Sequence, residues 1–214
     1  MPRQVKTRRY RSPQRREQAS ATRLSVLAAA RDLLQGGGYA ATTVADVAAR
    51  AGVSVDTVYV SVGRKPELVL AVIDMVLGGA DEPVPAEERD YVKAVRAEPT
   101  AVGKIEVYAG AVARLVPRTA TLQDALRRAG DTDARCAQTW QRLITRRAAN
   151  MRLFAADLRS TGELRDDLTD DAVADLVWST NAAEFWLLLD QQGWTPARYE
   201  ALLVNMWSRT LLSR

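Results

Sequence analysis

The side chains best suited to chemistry in this chain crowd into one short stretch, VSVDTVYVSVGRKPELV, spanning 53–69. Ser54, Thr57, Tyr59, Ser61 and Lys65 are hydrogen-bond donors of the kind that grip phosphate oxygens, while Val55, Asp56 and Thr57 suit the edges of bases. A threonine hydroxyl or methyl and a valine both meet thymine, and a carboxylate accepts from the cytosine amino group. The alternative is that these residues are incidental to an ordinary helical core. Enzymatic readings have little to stand on. The chain has no histidine, which removes the commonest general base and zinc ligand, and its one cysteine, Cys136, cannot form an internal disulfide or a thiolate cluster. Cys136 is expected to be a small buried apolar residue. Asp166, Asp167, Asp170 and Asp171 cluster, but their spacing is that of solvated helix caps. No catalytic residue, metal or cofactor is expected.

The elements that would position the donors are written nearby. Ser12 followed by Pro13 is a helix start, and Leu24, Leu27, Ala28 and Leu34 recur at helical spacing until Gly36, Gly37 and Gly38, which predicts a first helix ending near Gln35. Thr43 with Asp46 forms a capping box for a second helix over about 43–51. Gly52 supplies a turn, and Ser54 caps a third helix over about 55–60. Two short helices joined by a glycine turn, with Ala48 and Ala49 allowing close approach, place the second of the pair in a DNA major groove.

Charge points the same way. Residues 1–16 carry seven cations and no acid, leaving −3 for the rest of a chain whose formal charge is +4. This proline-containing arm lacks apolar residues to bury, and 1–11 is expected to be disordered when free. Arg8, Arg9 and Arg11 would reach into the minor groove or along phosphates; the plain alternative is a solubilising tail.

The segment GYAATTVADVAARAGVSVDTVYVSVGRKPEL, 38–68, resembles the DNA-binding domain of the TetR family of transcriptional regulators. That resemblance implies a homodimer with paired third helices in successive major grooves, and a C-terminal domain that dimerises and binds a small molecule. It further implies that Thr42 and Thr43 bind phosphate, that Tyr59 lies against the DNA backbone, that Lys65 contacts phosphate at the start of the fourth helix, and that Val55, Asp56 and Thr57 lie nearest the bases. The chain departs from the family pattern at Ser61 and Val62, where an aromatic or histidine followed by phenylalanine is usual. Ser61 reaches less far toward phosphate, and Val62 fills less core.

The rest of the chain reads as helices at about 66–77, 86–97, 100–115, 119–129, 132–161, 169–191 and 196–212, separated by glycine, proline or aspartate-rich turns. The fold class is therefore all-α, with a helix-turn-helix domain over 12–65 and a helical ligand-binding and dimerisation domain over 66–214. The apolar stripes of the last two helices predict a dimer interface containing Val173, Val177, Leu188, Leu203, Met206 and Trp207; the alternative is that both helices are core of a single chain. Tyr108, Trp140, Phe154, Trp178 and Asn181, in the middle helices, are candidates for contact with an organic ligand. No stretch reaches the roughly 20 apolar residues of a membrane span, and no signal core follows the basic start, so a cytoplasmic protein is expected. The reading that results is a repressor released from a palindromic operator by a small organic ligand. Its alternatives are a ligand-blind or partner-controlled DNA-binding dimer and a helical enzyme or carrier.

Overall fold

The computed structural model describes residues 13–213, and within them the chain is all-α. The helices are α1 (Pro13–Ala41), α2 (Val44–Ala51), α3 (Val55–Ser61), α4 (Lys65–Gly78), α5 (Asp90–Ala97), α6 (Ala101–Leu115), α7 (Ala120–Ala129), α8 (Ala134–Arg159), α9 (Asp170–Thr180), α10 (Ala183–Asp190) and α11 (Pro196–Leu211). A 3-10 turn at Ala86–Glu88 precedes α5. The expected arm 1–11, with Arg8, Arg9 and Arg11, lies outside the described residues.

The first helix runs on past its predicted end. Gly36 and Gly37 stay helical, and the break comes at Gly38, whose φ of 76° and ψ of −177° place it where only glycine is at ease. Thr43 then caps α2 through the predicted box. Its hydroxyl accepts from the Asp46 amide at 3.1 Å, and the Asp46 carboxylate accepts from the Thr43 amide at 2.8 Å. At the other end Gly52 is left-handed, and the Val53 amide returns to Ala48 O at 3.0 Å, so the chain reverses within a few residues. Ser54 caps α3, accepting from the Thr57 amide at 3.2 Å.

Two large apolar cores fill the molecule, with a small third cluster of Leu27, Ala71 and Met75 between α1 and α4. One joins α1–α4 through Val26, Leu34, Val47, Val58, Leu68 and Val72 and continues into α7 and α8 through Leu126 and Leu143. The other lies among α5, α6, α8, α9 and α11, around Tyr108, Phe154, Tyr199, Leu203 and Trp207. Helix α4 is apolar on nearly every side, with Leu68, Val69, Val72, Ile73, Met75 and Val76 all buried, so it has no solvent face along most of its length. The exception inside it is Asp74. This buried carboxylate accepts both nitrogens of the Arg146 fork, at 2.9 and 2.6 Å, and Arg89 Nη2 at 3.2 Å. One side chain thus ties α4 to α8 and to the approach to α5.

The helix predicted over 169–191 is two helices. Ala182 adopts an extended conformation with ψ of 151°, which separates α9 from α10. The carbonyls freed by the break find side-chain donors: Tyr199 Oη gives its proton to Thr180 O at 2.7 Å, and Arg147 Nη2 donates to Trp178 O at 3.2 Å. Trp207 Nε1 adds a bond to Thr180 Oγ1 at 2.9 Å. Most of the predicted dimer interface is corrected by the same packing. Val173, Val177, Leu203 and Trp207 are each 0 % exposed inside a single chain and have no surface to offer a second copy. Residues 199, 203, 207 and 211 form the inward stripe of α11, while Glu200, Asn205 and Arg209 face outward. Met206 is half-buried and Leu188 is exposed.

Removing one member of a buried charge cluster leaves the others uncompensated, which costs about 3–5 kcal/mol. Asp74→Ala is expected to lower the unfolding free energy by that amount in urea denaturation, and a change below about 1 kcal/mol would show that the three groups are not energetically linked.

Candidate nucleic-acid interface and adjoining cavity

Helix α3 has one buried side chain, Val58, and turns Asp56, Tyr59 and Val60 outward. These stand at i, i+3 and i+4 and share a face. Val60 is 90 % exposed, the barest large apolar side chain among the described residues, and sequence reading missed it because an apolar residue between Tyr59 and Ser61 reads as core. Asp56 is exposed at the first turn. Val55 is half-buried against the α1–α4 core and offers less than Val60 does. Ser54 and Thr57 bond each other, hydroxyl to hydroxyl, at 2.8 Å, with Ser54 exposed and Thr57 half-buried.

The predicted phosphate ligands divide sharply. Thr42 is 3 % exposed and donates its hydroxyl to Gly38 O at 2.9 Å, so it braces the glycine break and cannot reach a phosphate. Thr43 is exposed, with its proton given to Asp46 at 2.6 Å. Ser61 donates back to Val58 O at 3.2 Å, and its own carbonyl accepts from Arg23, so its hydroxyl is already engaged. Lys65 is half-buried with its ammonium 4.0 Å from the centre of the Tyr39 ring, and burial lowers its pKa. The neighbouring Arg64, which sequence reading passed over, is exposed and stacks 5.1 Å over Tyr59. Tyr59 and Arg64 therefore form a paired aromatic and cationic edge beside Val60. Tyr39 itself bonds Cys136 at 3.3 Å, and Cys136 is buried as expected.

A partly open cavity of about 600 Å³ lies between α5, α6, α7 and α8, with Leu77 of α4 and Asn181 also in its wall. Of the predicted ligand residues it collects Tyr108, Phe154 and Asn181. Trp140 is not among its walls, because it packs on the α1–α4 core, and Trp178 lies outside as well, stacked 5.5 Å from the Arg147 guanidinium. Sequence reading missed Arg147 and Gln123, which both line the cavity. Their helices are rich in arginine and polar residues, so nothing in the spacing sets these two apart. Arg89, which holds Asp74 of α4, is also in the wall. The Tyr108 phenol is buried and its pKa is driven upward by desolvation, so it stays a hydroxyl donor.

The three-helix geometry has relatives. Residues 26–72 match the model of the bacterial regulatory proteins, tetR family. Solved structures with the same fold include a TetR-family regulator from Rhodococcus sp. (17% identity, 91% of this chain and 100% of that one, TM-score 0.66). A regulator from Saccharomonospora viridis in complex with choline is 13% identical over 91% of this chain and 100% of its own, with a TM-score of 0.68. The regulator FadR from Bacillus subtilis, in complex with stearoyl-CoA, is 16% identical over 86% and 96%, with a TM-score of 0.65. No curated protein matches. The segment that matches this family model runs from α1 into α4, and the chain as a whole shares the fold of these solved structures. Among the described residues no helix is long and apolar enough to cross a membrane.

The capping carboxylates give the domain an acid limit. Hydrogen bonds from the Thr43 hydroxyl and amide hold the Asp46 carboxyl below its ordinary pKa of 3.8, and amide bonds from Cys136 and Arg135 do the same for Asp133. Groups lowered in the folded state contribute stability above the unfolded pKa and lose it as pH falls through the folded value. The melting temperature is expected to drop between about pH 5 and pH 3, and Asp46→Asn to flatten that drop. An unchanged acid limb in Asp46→Asn would show that the box carries no pH-dependent stability.

Proposed function

We propose that this protein is a transcriptional repressor that binds a palindromic DNA operator as a homodimer and is released by a small organic ligand held in the cavity. The observation that carries the reading is the joint position of α4. Its first turn stands beside the exposed Tyr59, Val60 and Arg64 edge, and its far half is pinned through Asp74 to Arg89, a cavity wall residue. In this reading 1–11 is a basic arm, 12–65 the DNA-binding unit and 66–214 the ligand-binding and dimerisation unit, at work in the cytoplasm.

On DNA, Val60 and Asp56 meet base edges, with Thr57 at the margin, while Tyr59, Arg64, Lys65, Ser54 and the α2 start at Thr43 hold the backbone. Base contacts specify and phosphate contacts position. Two copies must set their third helices roughly 34 to 36 Å apart to enter successive major grooves. The apolar run of α10 favours pairing: of Phe185–Leu189 only Trp186 is buried by its own chain, and Leu188 is 64 % exposed. A ligand that fits the cavity in only one placement of α5 and α8 shifts α4 through Asp74 and spoils that spacing. It acts only to the extent that it binds the two arrangements with different affinity. The choline and stearoyl-CoA complexes of the similarly folded proteins lend support to a small-molecule occupant.

Selection of duplexes from random DNA by the full chain is expected to recover a two-fold symmetric site. On that site Arg64→Ala should weaken binding to all sequences alike and lower the salt slope by about 1, whereas Val60→Ser should change preference at one base position by about 1–3 kcal/mol. Deleting 1–11 should lower the slope by several units. Failure to retard any duplex at moderate salt would defeat the assignment. In sedimentation, Leu188→Asp is expected to convert a dimer to a monomer; a dimer of unchanged affinity would place the interface elsewhere.

A further inference from the structure

The cavity is apolar over most of its wall, with Val92, Val112, Leu115, Val116 and Phe154 among its residues, yet it holds a cation, Arg147, whose favourable acid, Glu184, acts from beyond ion-pair distance and lies beside Arg127 instead. Arg147 bonds only Trp178 O and Asn181 Oδ1, both through Nη2, and it enters no ion pair among the described residues. Its neighbour Arg146 and the wall residue Arg89 share Asp74, and Asp157, the acid deepest in the wall, pairs with Lys104 at 3.1 Å. Glu87 and Arg96 also line the cavity but are exposed to solvent. Desolvation opposes the charge on Arg147 and lowers its pKa, yet a guanidinium does not give up its proton in a protein. Arg147 is half-buried, so its charge keeps only part of its hydration in this apolar recess, and among the described residues Nε and Nη1 make no hydrogen bond that would compete with an incoming anion.

The groups beside Arg147 are arranged to help. Asn181 uses Oδ1 for Arg147 and gives Nδ2 to Tyr108 Oη at 2.8 Å, which leaves the Tyr108 proton directed at Met151 Sδ, 3.4 Å away. A thioether is a weak acceptor. An incoming oxyanion would take that proton and strengthen the bond. A separate observation concerns Gln123, which is 5 % exposed. Its Nε2 donates to Thr119 Oγ1 at 2.9 Å, while its Oε1 is buried in the wall with no partner. The Thr119 hydroxyl already spends its proton on backbone carbonyls, so the amide orientation is set and the orphan atom is an acceptor. A buried acceptor without a donor is a standing cost that a ligand donor relieves.

Resting on the ligand-controlled reading above, we propose that the cavity selects a small apolar acid: a hydrocarbon body with a carboxylate seated on Arg147 and Tyr108, and a hydroxyl or N–H along the body that donates to Gln123 Oε1. Neutral and cationic analogues of the same body lack the first contact, and a cation meets Arg147 with like charge.

The test uses the full chain and matched probes, decanoate, decanol and decylamine, titrated by calorimetry. The acid is expected to bind at least tenfold tighter than the alcohol, with the amine weakest. In Arg147→Met that acid-to-alcohol ratio should collapse to near one, and in Arg147→Lys it should fall to an intermediate value. The ratio is taken within each protein, so loosened packing, which affects both probes, cancels. Among decanoates hydroxylated at successive carbons, at least one should bind tighter than decanoate to the natural protein and not to Gln123→Leu. A ratio near one in the natural protein, a ratio unchanged in Arg147→Met, or no probe binding at all would overturn the proposal; absence of any hydroxyl gain would overturn its donor half. Binding to selected duplexes is measured separately at saturating decanoate. If the acid preference holds while DNA binding is unaffected, ligand control fails and the head-group assignment stands.

Discussion

The carboxylate of Asp74 is the point on which the rest of the molecule turns. It sits inside an otherwise apolar helix and satisfies two arginines, one from α8 and one from the segment before α5. A charge so placed is stable only while both partners keep their positions. Because α4 also packs into the core of the helix-turn-helix unit, the placement of α3 is referred, through one side chain, to helices that wall the cavity. Apolar packing alone would bind the two halves with equal strength but would tolerate sliding. A fork of hydrogen bonds does not, since a small displacement breaks its geometry.

The break between α9 and α10 plays the complementary part. Ending a helix in the middle of an apolar run leaves carbonyls without partners, and here Tyr199 and Arg147 supply the missing donors. The break brings Asn181 to the cavity wall and makes Arg147 both a structural donor and a wall residue.

The helix-turn-helix was legible in the sequence to the level of individual caps. Thr43 with Asp46, Gly52 and Ser54 act through neighbours a few residues away, so their roles follow from local chemistry. Thr42 was misread because its burial depends on where the chain goes after Gly38. The Ser61 hydroxyl has an acceptor in its own helix, Val58 O, which residue type alone does not show. Val60 and Arg64 were passed over since exposure is not written in residue type: a valine on the outside of a helix looks like a valine on the inside until the rest of the core is in place. The cavity was half legible. Tyr108, Phe154 and Asn181 lie in it, while Trp140 and Trp178 face other surroundings that only packing assigns.

What the amino-acid order by itself determined is the set of helices with strong local caps, the three-helix motif with its serine and threonine starts, the all-α class and the uneven charge. Each depends on interactions spanning one or two turns. What the tertiary structure alone decided is which faces are inward, where the long apolar helix divides, and which of many arginines is drawn into the cavity wall. Those outcomes depend on groups far apart in the chain: Asp74 meets Arg146, and Arg147 meets Asn181. Hydrophobic burial is non-directional and selects no particular partner, so identity at these positions emerges only when distant helices have closed around them.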